Sequence, residues 1–521
     1  MHSQSLIIRW AISALFYITI AFPTSVWGQE DRTTAVLNSE TDAFINEILS
    51  SWGSPGGVGV AVVRKNQQGN WAVETKGYGL ATANGSRVTE NTLFAIGSNS
   101  KLFTALATGL LINNKTLSPR LDWTSKMASV IPGWGLKDPF ATKQASIIDL
   151  MSHRTGLPRH EFSYKWSDDI KRANFLRPSA EFRDTYQYSN IMYMILSHLP
   201  TSLLPSKIPF TRYVKEHIFE PLGLTSTTYS YDVAKQRHLA EGMARQGNDP
   251  LKDPFGGTPR AATWLQMLLL NGAKPGSGTQ VISPDIIQKV SAGVNVVARQ
   301  AVVSRLPFDG LGVAVLTNDQ DYGNYMHNII KFRLIDEALG LEKIDWNARI
   351  KALVQYNIPD LATPRPAKAT LPSVGFTSLA GTYSNPGYGE FELCYVSEKY
   401  PAQTPSCQSL ASNVSTILPG AVSPGIPTFI AHWDAPWTGY IRLQHFNGNL
   451  FNISSLRSYP TNNASEPFWA SGIQNTFDTD SLAEAVASDG GVSFALSGIW
   501  GADYNLGRES RDDAEVWFDK R

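Results

Sequence analysis

A serine and a lysine three residues apart, Ser98 and Lys101, are the residues of this sequence best suited to chemistry. A serine hydroxyl becomes a nucleophile only when a base lies within hydrogen-bond reach. A spacing of three places both side chains on one face of a helix, and the apolar run after Lys101 predicts such a helix. A lysine partly removed from water can lose its proton near neutral pH. The pair predicts a serine nucleophile with a lysine base; an N-cap serine followed by a surface lysine is the alternative.

The segment "FAIGSNSK", which ends at Lys101, resembles the nucleophile helix of the serine β-lactamase and penicillin-binding-protein superfamily. The resemblance is to the class C-like branch, which includes secreted esterases and D-stereospecific peptidases. The second motif of that family, Tyr-x-Asn at the start of another helix, is matched by Tyr188 and Asn190. The resemblance implies that Tyr188 relays protons beside Lys101 and that Asn190 binds the substrate or the lysine. We expect the neighbouring ammonium to lower the pKa of the phenol.

Other echoes of the family lie in "LMSHRTGLP", "IFEPLGLTSTTYS" and "FGGTPRAATWLQMLLLNG", and they resemble scaffold motifs. His153, in the first of them, resembles a structural histidine. Two further Tyr-x-Asn triplets, at 322–324 and 383–385, do not precede an obvious apolar helix. We therefore predict that both triplets form turns.

The third motif of the family, Lys or His followed by Thr, Ser or Gly and then Gly, has no match here. In the family its strand lines the site and supplies the second N–H of the oxyanion hole. Only about ten residues, "SAGVNVVARQ", separate the "ISP" helix from the next strand pair, where the family normally uses several tens. Because such a donor carries several kcal/mol of the barrier reduction, we expect weakened catalysis.

The elements around these residues follow from hydrophobic periodicity. Two apolar runs around a polar turn within residues 57–81 predict a hairpin, and the middle of the chain shows helical spacing. A second strand pair, "AVVSRLPFDGLGVAVLTND", precedes the helical segment "NIIKFRLIDEALGL". This order predicts an α+β fold, with a mixed sheet and helices packed on it. The resemblance specifies a β-lactamase/transpeptidase-like domain over residues 29–350.

The composition changes after this domain. A proline-rich linker is predicted at 351–375, and short strand-like runs between Gly, Pro and Asn turns predict an all-β domain at 376–521. "LAGTYSNPGYGEFEL" resembles the start of a lipocalin-like β domain found on many proteins of this branch. Cys394 and Cys407 could close a disulfide in an oxidising compartment.

The N-terminal 28 residues are predicted to be a secretory signal peptide, with an uncleaved membrane anchor as the alternative. Possible glycosylation sites are Asn84, Asn114, Asn413, Asn452 and Asn463. We therefore predict a secreted glycoprotein.

Lysine plus arginine and aspartate plus glutamate number 45 each among 521 residues. This balance favours neither nucleic acid nor an acidic membrane surface as a partner. We expect no cofactor and no metal, because metal-ligand spacings are missing. The expected partner is a small-molecule or peptide substrate.

Three functions remain open on the sequence. The first is a secreted serine hydrolase that acts on an ester, amide or β-lactam through a Ser98 acyl-enzyme. The second is a catalytically inactive relative that binds a ligand or partner. The third, a Ser-His-Asp hydrolase, is disfavoured because the chain lacks a G-x-S-x-G elbow.

Overall fold

Two antiparallel sheets organise the protein in a computed structural model. The structure describes residues 35–66, 68–163, 169–243, 301–319, 322–356, 365–397, 399–400, 404–418, 420–435, 438–459, 468–471, 482–488, 491–498 and 514–521. The predicted signal peptide, the helical segment at 261–272 and the "ISP" helix therefore lie outside the described residues.

The first sheet has four strands in the order β2-β1-β4-β3. They are β1 (Gly57–Lys65), β2 (Trp71–Gly79), β3 (Ala301–Leu306) and β4 (Leu311–Thr317). Alternation along β1 sends Val58, Val60 and Val62 to the face covered by two helices. This sheet confirms the two predicted strand pairs, but its described strands pair only antiparallel, so the prediction of a mixed sheet was wrong for them.

The helices of the described residues are mostly short. They are α1 (Ser39–Ser51), α2 (Lys101–Asn113), α3 (Met127–Val130), α4 (Pro139–Gln144), α5 (Ile147–Met151), α6 (Asp169–Arg172), α7 (Asn190–Leu196), α8 (Leu199–Leu203), α9 (Phe210–Val214), α10 (Tyr231–Lys235), α11 (Gly323–Leu339), α12 (Trp346–Tyr356), α13 (Phe376–Leu379) and α14 (Pro405–Ile417). α1 and α11 pack on one face of the first sheet, whereas α2 belongs to the cluster of buried side chains that also contains α5 and α7.

The second sheet closes into a barrel. Eight strands follow one another in the order β9-β11-β12-β13-β5-β6-β7-β8, and β8 pairs back onto β9. The strands are β5 (Gly381–Asn385), β6 (Gly389–Val396), β7 (Thr428–Ala435), β8 (Thr438–Asn447), β9 (Leu450–Tyr459), β11 (Leu482–Ser488), β12 (Gly491–Ser497) and β13 (Val516–Lys520), and β10 (Phe468–Ser471) adds to β9. Closure removes free strand edges. The predicted all-β C-terminal part is thus confirmed.

Aromatic side chains pack inside the barrel. The rings of Phe391 and Phe518 lie 4.9 Å apart, and those of Tyr383 and Phe494 lie 5.1 Å apart, all buried. Such contacts stabilise the barrel beyond the burial of their area.

A disulfide joins Cys394 of β6 to Cys407 of α14, with 5.2 Å between the Cα atoms. The sequence was compatible with this pair, but its pattern did not predict α14. Among the described residues, Glu392 and the two cysteines lie close enough together to resemble a set of metal ligands. Metals bind cysteine as the thiolate, and sulfurs joined in a disulfide are not thiolates, so this group is not a metal site.

One sequence prediction, for the triplet at 322–324, is corrected by the structure, and another, for the domain boundaries, is not tested by it. The triplet at 322–324 was expected to form a turn, but Tyr322 is the N-cap of the 17-residue helix α11, so that prediction was wrong. Its periodicity was hidden because polar residues such as Asn324 and Asn328 interrupt the first turns. α12 runs to Tyr356 and residues 357–364 are not described, so the domain boundaries stay predictions. No described helix is both long and apolar enough to cross a membrane.

Candidate active site

The turn that carries Ser98 is a 3-10 helix, Gly97–Ser100, that leads directly into α2. Gly97 has a φ of +50°, a left-handed conformation that glycine adopts without cost. The chain therefore turns sharply before Ser98, which lies half-buried at the start of the helical segment. Backbone N–H groups at a helix start have no acceptor within the helix and favour negative charge.

The four predicted site residues lie together. Lys101 Nζ is 3.1 Å from Ser98 Oγ, 2.7 Å from the Tyr188 hydroxyl and 2.6 Å from Asn190 Oδ1. Ser98 Oγ and the Tyr188 hydroxyl are 2.5 Å apart. Tyr188 lies two residues before the start of α7, and Asn190 begins that helix. Packing of α2 against α7 thus places the second motif over the first.

The environment of Lys101 favours its neutral amine. Burial lowers the pKa of Lys101 to about 7; the Glu161 carboxylate opposes this shift and the Arg159 guanidinium adds to it. The residue is 7% exposed. A lysine with such a pKa is a base at neutral pH.

Tyr188 differs from its expectation. The pKa of its phenol is raised, first by burial, with Ser98 and Arg159 acting in the opposite direction. The expectation of a lowered pKa was wrong because it considered only the neighbouring ammonium, whereas burial of the phenol has the largest effect on its pKa. Tyr188 therefore stays protonated and can donate its hydrogen while it accepts another.

Two residues that the sequence analysis missed complete the surroundings of the lysine. Glu161 is buried, and its Oε1 accepts a hydrogen bond from Asn190 Nδ2 at 3.3 Å. The Arg159 guanidinium lies 3.3 Å from the same carboxylate oxygen and 4.8 Å from the centre of the Tyr188 ring. The sequence shows Arg159 and Glu161 as two charged residues just after "RTGLP". Their spacing alone does not predict that they lie near Lys101.

His153 supports the site without touching Ser98. It is buried, its Nδ1 accepts the backbone N–H of Ser189 at 3.1 Å, and its ring lies 4.6 Å from that of Tyr188. Burial, then the charges of Lys101 and Arg159, lower its pKa to about 3. It is neutral at physiological pH and holds the residue that precedes α7.

Strand β3 is the sheet edge nearest the nucleophile. Asn99 Nδ2 donates to the carbonyl of Ala301 at 3.2 Å. Within the described residues, no strand pairs with the outer side of β3. The segment that should hold the third motif, between Ile282 and Ala301, lies outside the described residues.

A serine in contact with a buried lysine and a phenol, on a helix beside an antiparallel sheet, can take up and return a proton at one oxygen. This arrangement, in a mixed α/β domain, defines a class of serine hydrolases. Residues 52–305 match the family model described as Beta-lactamase. Residues 52–305 therefore form a domain of the serine β-lactamase and penicillin-binding-protein superfamily.

Relatives include two fungal proteins. The chain is 26% identical to "Unguisins hydrolase ungD'" of Aspergillus campestris (strain IBT 28561) over 70% of this chain and 79% of the relative. It is 26% identical to "Unguisins hydrolase ungD" of Aspergillus violaceofuscus (strain CBS 115571) over 70% of this chain and 77% of that relative. A "Putative D-alanyl-D-alanine carboxypeptidase" of Salmonella gallinarum (strain 287/91 / NCTC 13346) is 27% identical over 28% of this chain and 35% of its own.

Among solved structures, unliganded simvastatin synthase (LovD) from Aspergillus terreus aligns with a TM-score of 0.41 and 14% identity, over 60% of this chain and 98% of that chain. "EstCE1, a hydrolase with promiscuous acyltransferase activity" aligns with a TM-score of 0.39 and 16% identity, over 58% of this chain and 98% of that chain. Similarity this low says nothing about the substrate.

Proposed function

We propose that this protein is a secreted serine hydrolase that cleaves an ester, amide or β-lactam through an acyl-enzyme on Ser98. The observation that carries the proposal is the contact of Ser98 Oγ with both Lys101 Nζ and the Tyr188 hydroxyl. A serine with a neutral amine at 3.1 Å has the base that its hydroxyl requires.

The proton follows the hydrogen bonds. Ser98 Oγ bonds to the substrate carbonyl carbon while its proton passes to Lys101, directly or by a concerted exchange at Tyr188. The leaving group takes this proton as its bond to the carbonyl carbon breaks. Water then attacks the acyl-enzyme and gives a proton to Lys101, which returns it to Ser98. Tyr188 needs no free phenolate, because it gives one hydrogen as it receives another.

The rate is expected to be low for a protein of this class. The sequence lacks the third motif, so the substrate carbonyl would lack one of two backbone donors. Loss of one such donor costs roughly a hundredfold or more in rate. Because of the family relationship, we would test ester, amide and lactam carbonyls first, and the name of the Salmonella relative adds D-alanyl-D-alanine peptides to this set.

Secretion is proposed from the N-terminal segment, whose Arg9 precedes an apolar run. The Cys394–Cys407 disulfide supports an oxidising compartment.

Turnover of a nitrophenyl ester and of nitrocefin by the purified protein tests the proposal. Ser98→Ala is expected to abolish it, because no other hydroxyl takes the place of the nucleophile. Ser100→Ala is the matched control, since the described contact of Ser100 uses its carbonyl oxygen, which accepts from Tyr229.

Turnover that survives Ser98→Ala would refute the serine mechanism. A wild-type protein without Ser98-dependent turnover that still binds these substrates would instead indicate an inactive relative with a binding role.

A further inference from the structure

The turn between β5 and β6 of the barrel contacts the hydrolase domain at His160. The Tyr388 hydroxyl lies 2.5 Å from His160 Nδ1, and both residues are buried. His160 Nε2 lies 2.7 Å from the carbonyl oxygen of Arg177. Because a carbonyl only accepts, Nε2 carries the hydrogen, and Nδ1 accepts from the phenol. This contact joins residues 228 positions apart.

The barrel presents Tyr388 on a rigid turn. Asn385 Oδ1 accepts the backbone N–H groups of Gly387 at 2.7 Å and Tyr388 at 3.0 Å. Asn385 Nδ2 donates to the carbonyl of Trp517 on β13 at 2.9 Å. The triplet at 383–385 was expected to form a turn, but it lies in strand β5, so that prediction was wrong. Its asparagine ends the strand and binds the turn that follows. The Tyr388 ring lies 5.9 Å from that of Phe518.

Neighbouring contacts hold the same two surfaces together. Arg172 Nη1 donates to the Gly387 carbonyl at 3.0 Å, and Arg177 Nη1 donates to the Ala514 carbonyl at 2.5 Å. A Cβ on Gly387 would lie 2.8 Å from the side chain of Leu176. The barrel turn therefore packs directly on residues 172–177, and this segment includes the Arg177 carbonyl that accepts the hydrogen of His160 Nε2.

His160 lies between the two charged residues that surround the lysine, Arg159 and Glu161. Its φ is +43°, a conformation that a non-glycine residue adopts only when its surroundings hold it. Glu161 contacts Asn190, which in turn binds Lys101. A shift of His160 would therefore move both charges relative to the base.

We propose that the barrel positions the active-site segment 159–161 through the hydrogen bond from Tyr388 to His160. The proposal rests on the proposed function, because the segment matters only if Lys101 acts as a base. Tyr388 is a positioning residue: it reaches the lysine through His160, Glu161 and Asn190.

Tyr388→Phe tests this, because it removes the hydroxyl and keeps the ring. Ser98-dependent kcat/KM is expected to fall about tenfold, as a buried hydrogen bond that orients a catalytic segment is lost. Tyr383→Phe is the matched control. Tyr383 is equally buried in the barrel, and its hydroxyl donates to the Leu379 carbonyl at 2.8 Å, within the C-terminal part. Its activity is expected to match the wild type.

A double-mutant cycle separates positioning from general stability. If Tyr388 acts through the segment, Tyr388→Phe and Glu161→Gln combine less than additively in kcat/KM. Full additivity, or an equal loss in Tyr383→Phe, would overturn the proposal. Hydrogen exchange of the backbone amides of 159–163 gives a readout that does not need turnover. Exchange is expected to be faster in Tyr388→Phe than in Tyr383→Phe, and unchanged exchange would also overturn the proposal.

These outcomes are distinct from failure of the proposed function. Turnover that persists in Ser98→Ala refutes the serine mechanism, whatever the tyrosine variants do. Wild-type-like activity of Tyr388→Phe, together with an inactive Ser98→Ala, refutes only the positioning role.

Discussion

At the residue scale, the site depends on the protonation state of Lys101. The titratable groups that face it are Glu161, Arg159, His153, Tyr188 and Tyr193. His153 stays neutral because burial lowers its pKa to about 3, and burial raises the pKa of both tyrosines. The lysine is therefore the group in this set whose pKa of about 7 makes it titrate near neutral pH.

We predict that kcat/KM falls about tenfold per pH unit below pH 7 and levels off above it, because only the neutral amine of Lys101 accepts a proton. Glu161→Gln removes a negative charge that stabilises the ammonium, so the pKa of Lys101 falls further. The acid limb should therefore move to lower pH, by roughly 0.5–1 unit. The measurement is the pH profile of kcat/KM for an ester substrate.

Glu216→Gln serves as the control for charge removal. Glu216 is part of a surface ion pair with Arg212. Solvent and salt screen such exposed charges, so its removal is expected to leave the pKa of Lys101 almost unchanged. If the acid limb of Glu161→Gln stays at the same pH or moves to higher pH, the electrostatic role of Glu161 is contradicted.

At the element scale, α5 is a short helix whose start is fixed by one carboxylate. Asp149 Oδ2 accepts from the backbone N–H of Ser146 at 2.8 Å, which forms a capping box. Arg183 Nε and Nη2 donate to the two oxygens of Asp149, each at 2.7 Å. Because α5 leads into His153, this cap helps to hold the residue that packs on Tyr188.

We predict that Asp149→Asn lowers the free energy of unfolding by roughly 1–2 kcal/mol at pH 7, since it weakens a cap and a half-exposed ion pair. Burial opposes ionisation of Asp149, but the hydrogen bonds from Arg183 and Ser146 prevail and lower its pKa. A lowered folded-state pKa contributes stability above the unfolded value, about 3.9, and loses it as the pH falls further. The difference from wild type in denaturant unfolding should thus shrink as the pH falls below about 4.

The control at this scale is Asp138→Asn. Asp138 is the partly exposed N-cap of α4, and its Oδ1 accepts the backbone N–H of Phe140. The asparagine side chain keeps the cap oxygen, so only a small loss of stability is expected. An equal loss in both variants would contradict the special role of the Arg183 pair.

At the scale of the whole molecule, the two sheets belong to one packed unit. A single cluster of buried apolar side chains includes Leu106 and Leu176 of the hydrolase part together with Phe391 and Trp433 of the barrel. Removing the barrel would expose some of these side chains to water, and each large one would then lose about 1.5–3 kcal/mol of stabilising free energy. Since the free energy of unfolding of a domain is only about 5–15 kcal/mol, the hydrolase part is not expected to fold stably without the barrel.

We predict that a chain ending at residue 356, which lacks the barrel, aggregates or melts well below the full-length protein. Circular dichroism melting and size-exclusion chromatography measure this. The full-length protein should show one cooperative transition. A truncated chain that is monomeric and melts at the same temperature would show that the two parts are independent.

The sequence by itself determined the features that depend on short spacing. Three residues between Ser98 and Lys101 bring their side chains to one helix face whatever the rest of the chain does. Apolar runs around polar turns determined the hairpins, and the turn-rich tail determined the all-β part. These follow because local backbone geometry repeats every two or 3.6 residues.

Only the tertiary structure decided which distant groups meet and how much water remains around them. The contact of Tyr388 with His160, the approach of Glu161 to Asn190 and the lowered pKa of Lys101 leave no periodic signal in the chain. The raised pKa of Tyr188 went against the sequence expectation for the same reason. Burial and long-range charge are properties of packed surfaces, and packing brings together residues whose separation along the chain carries no information about their separation in space.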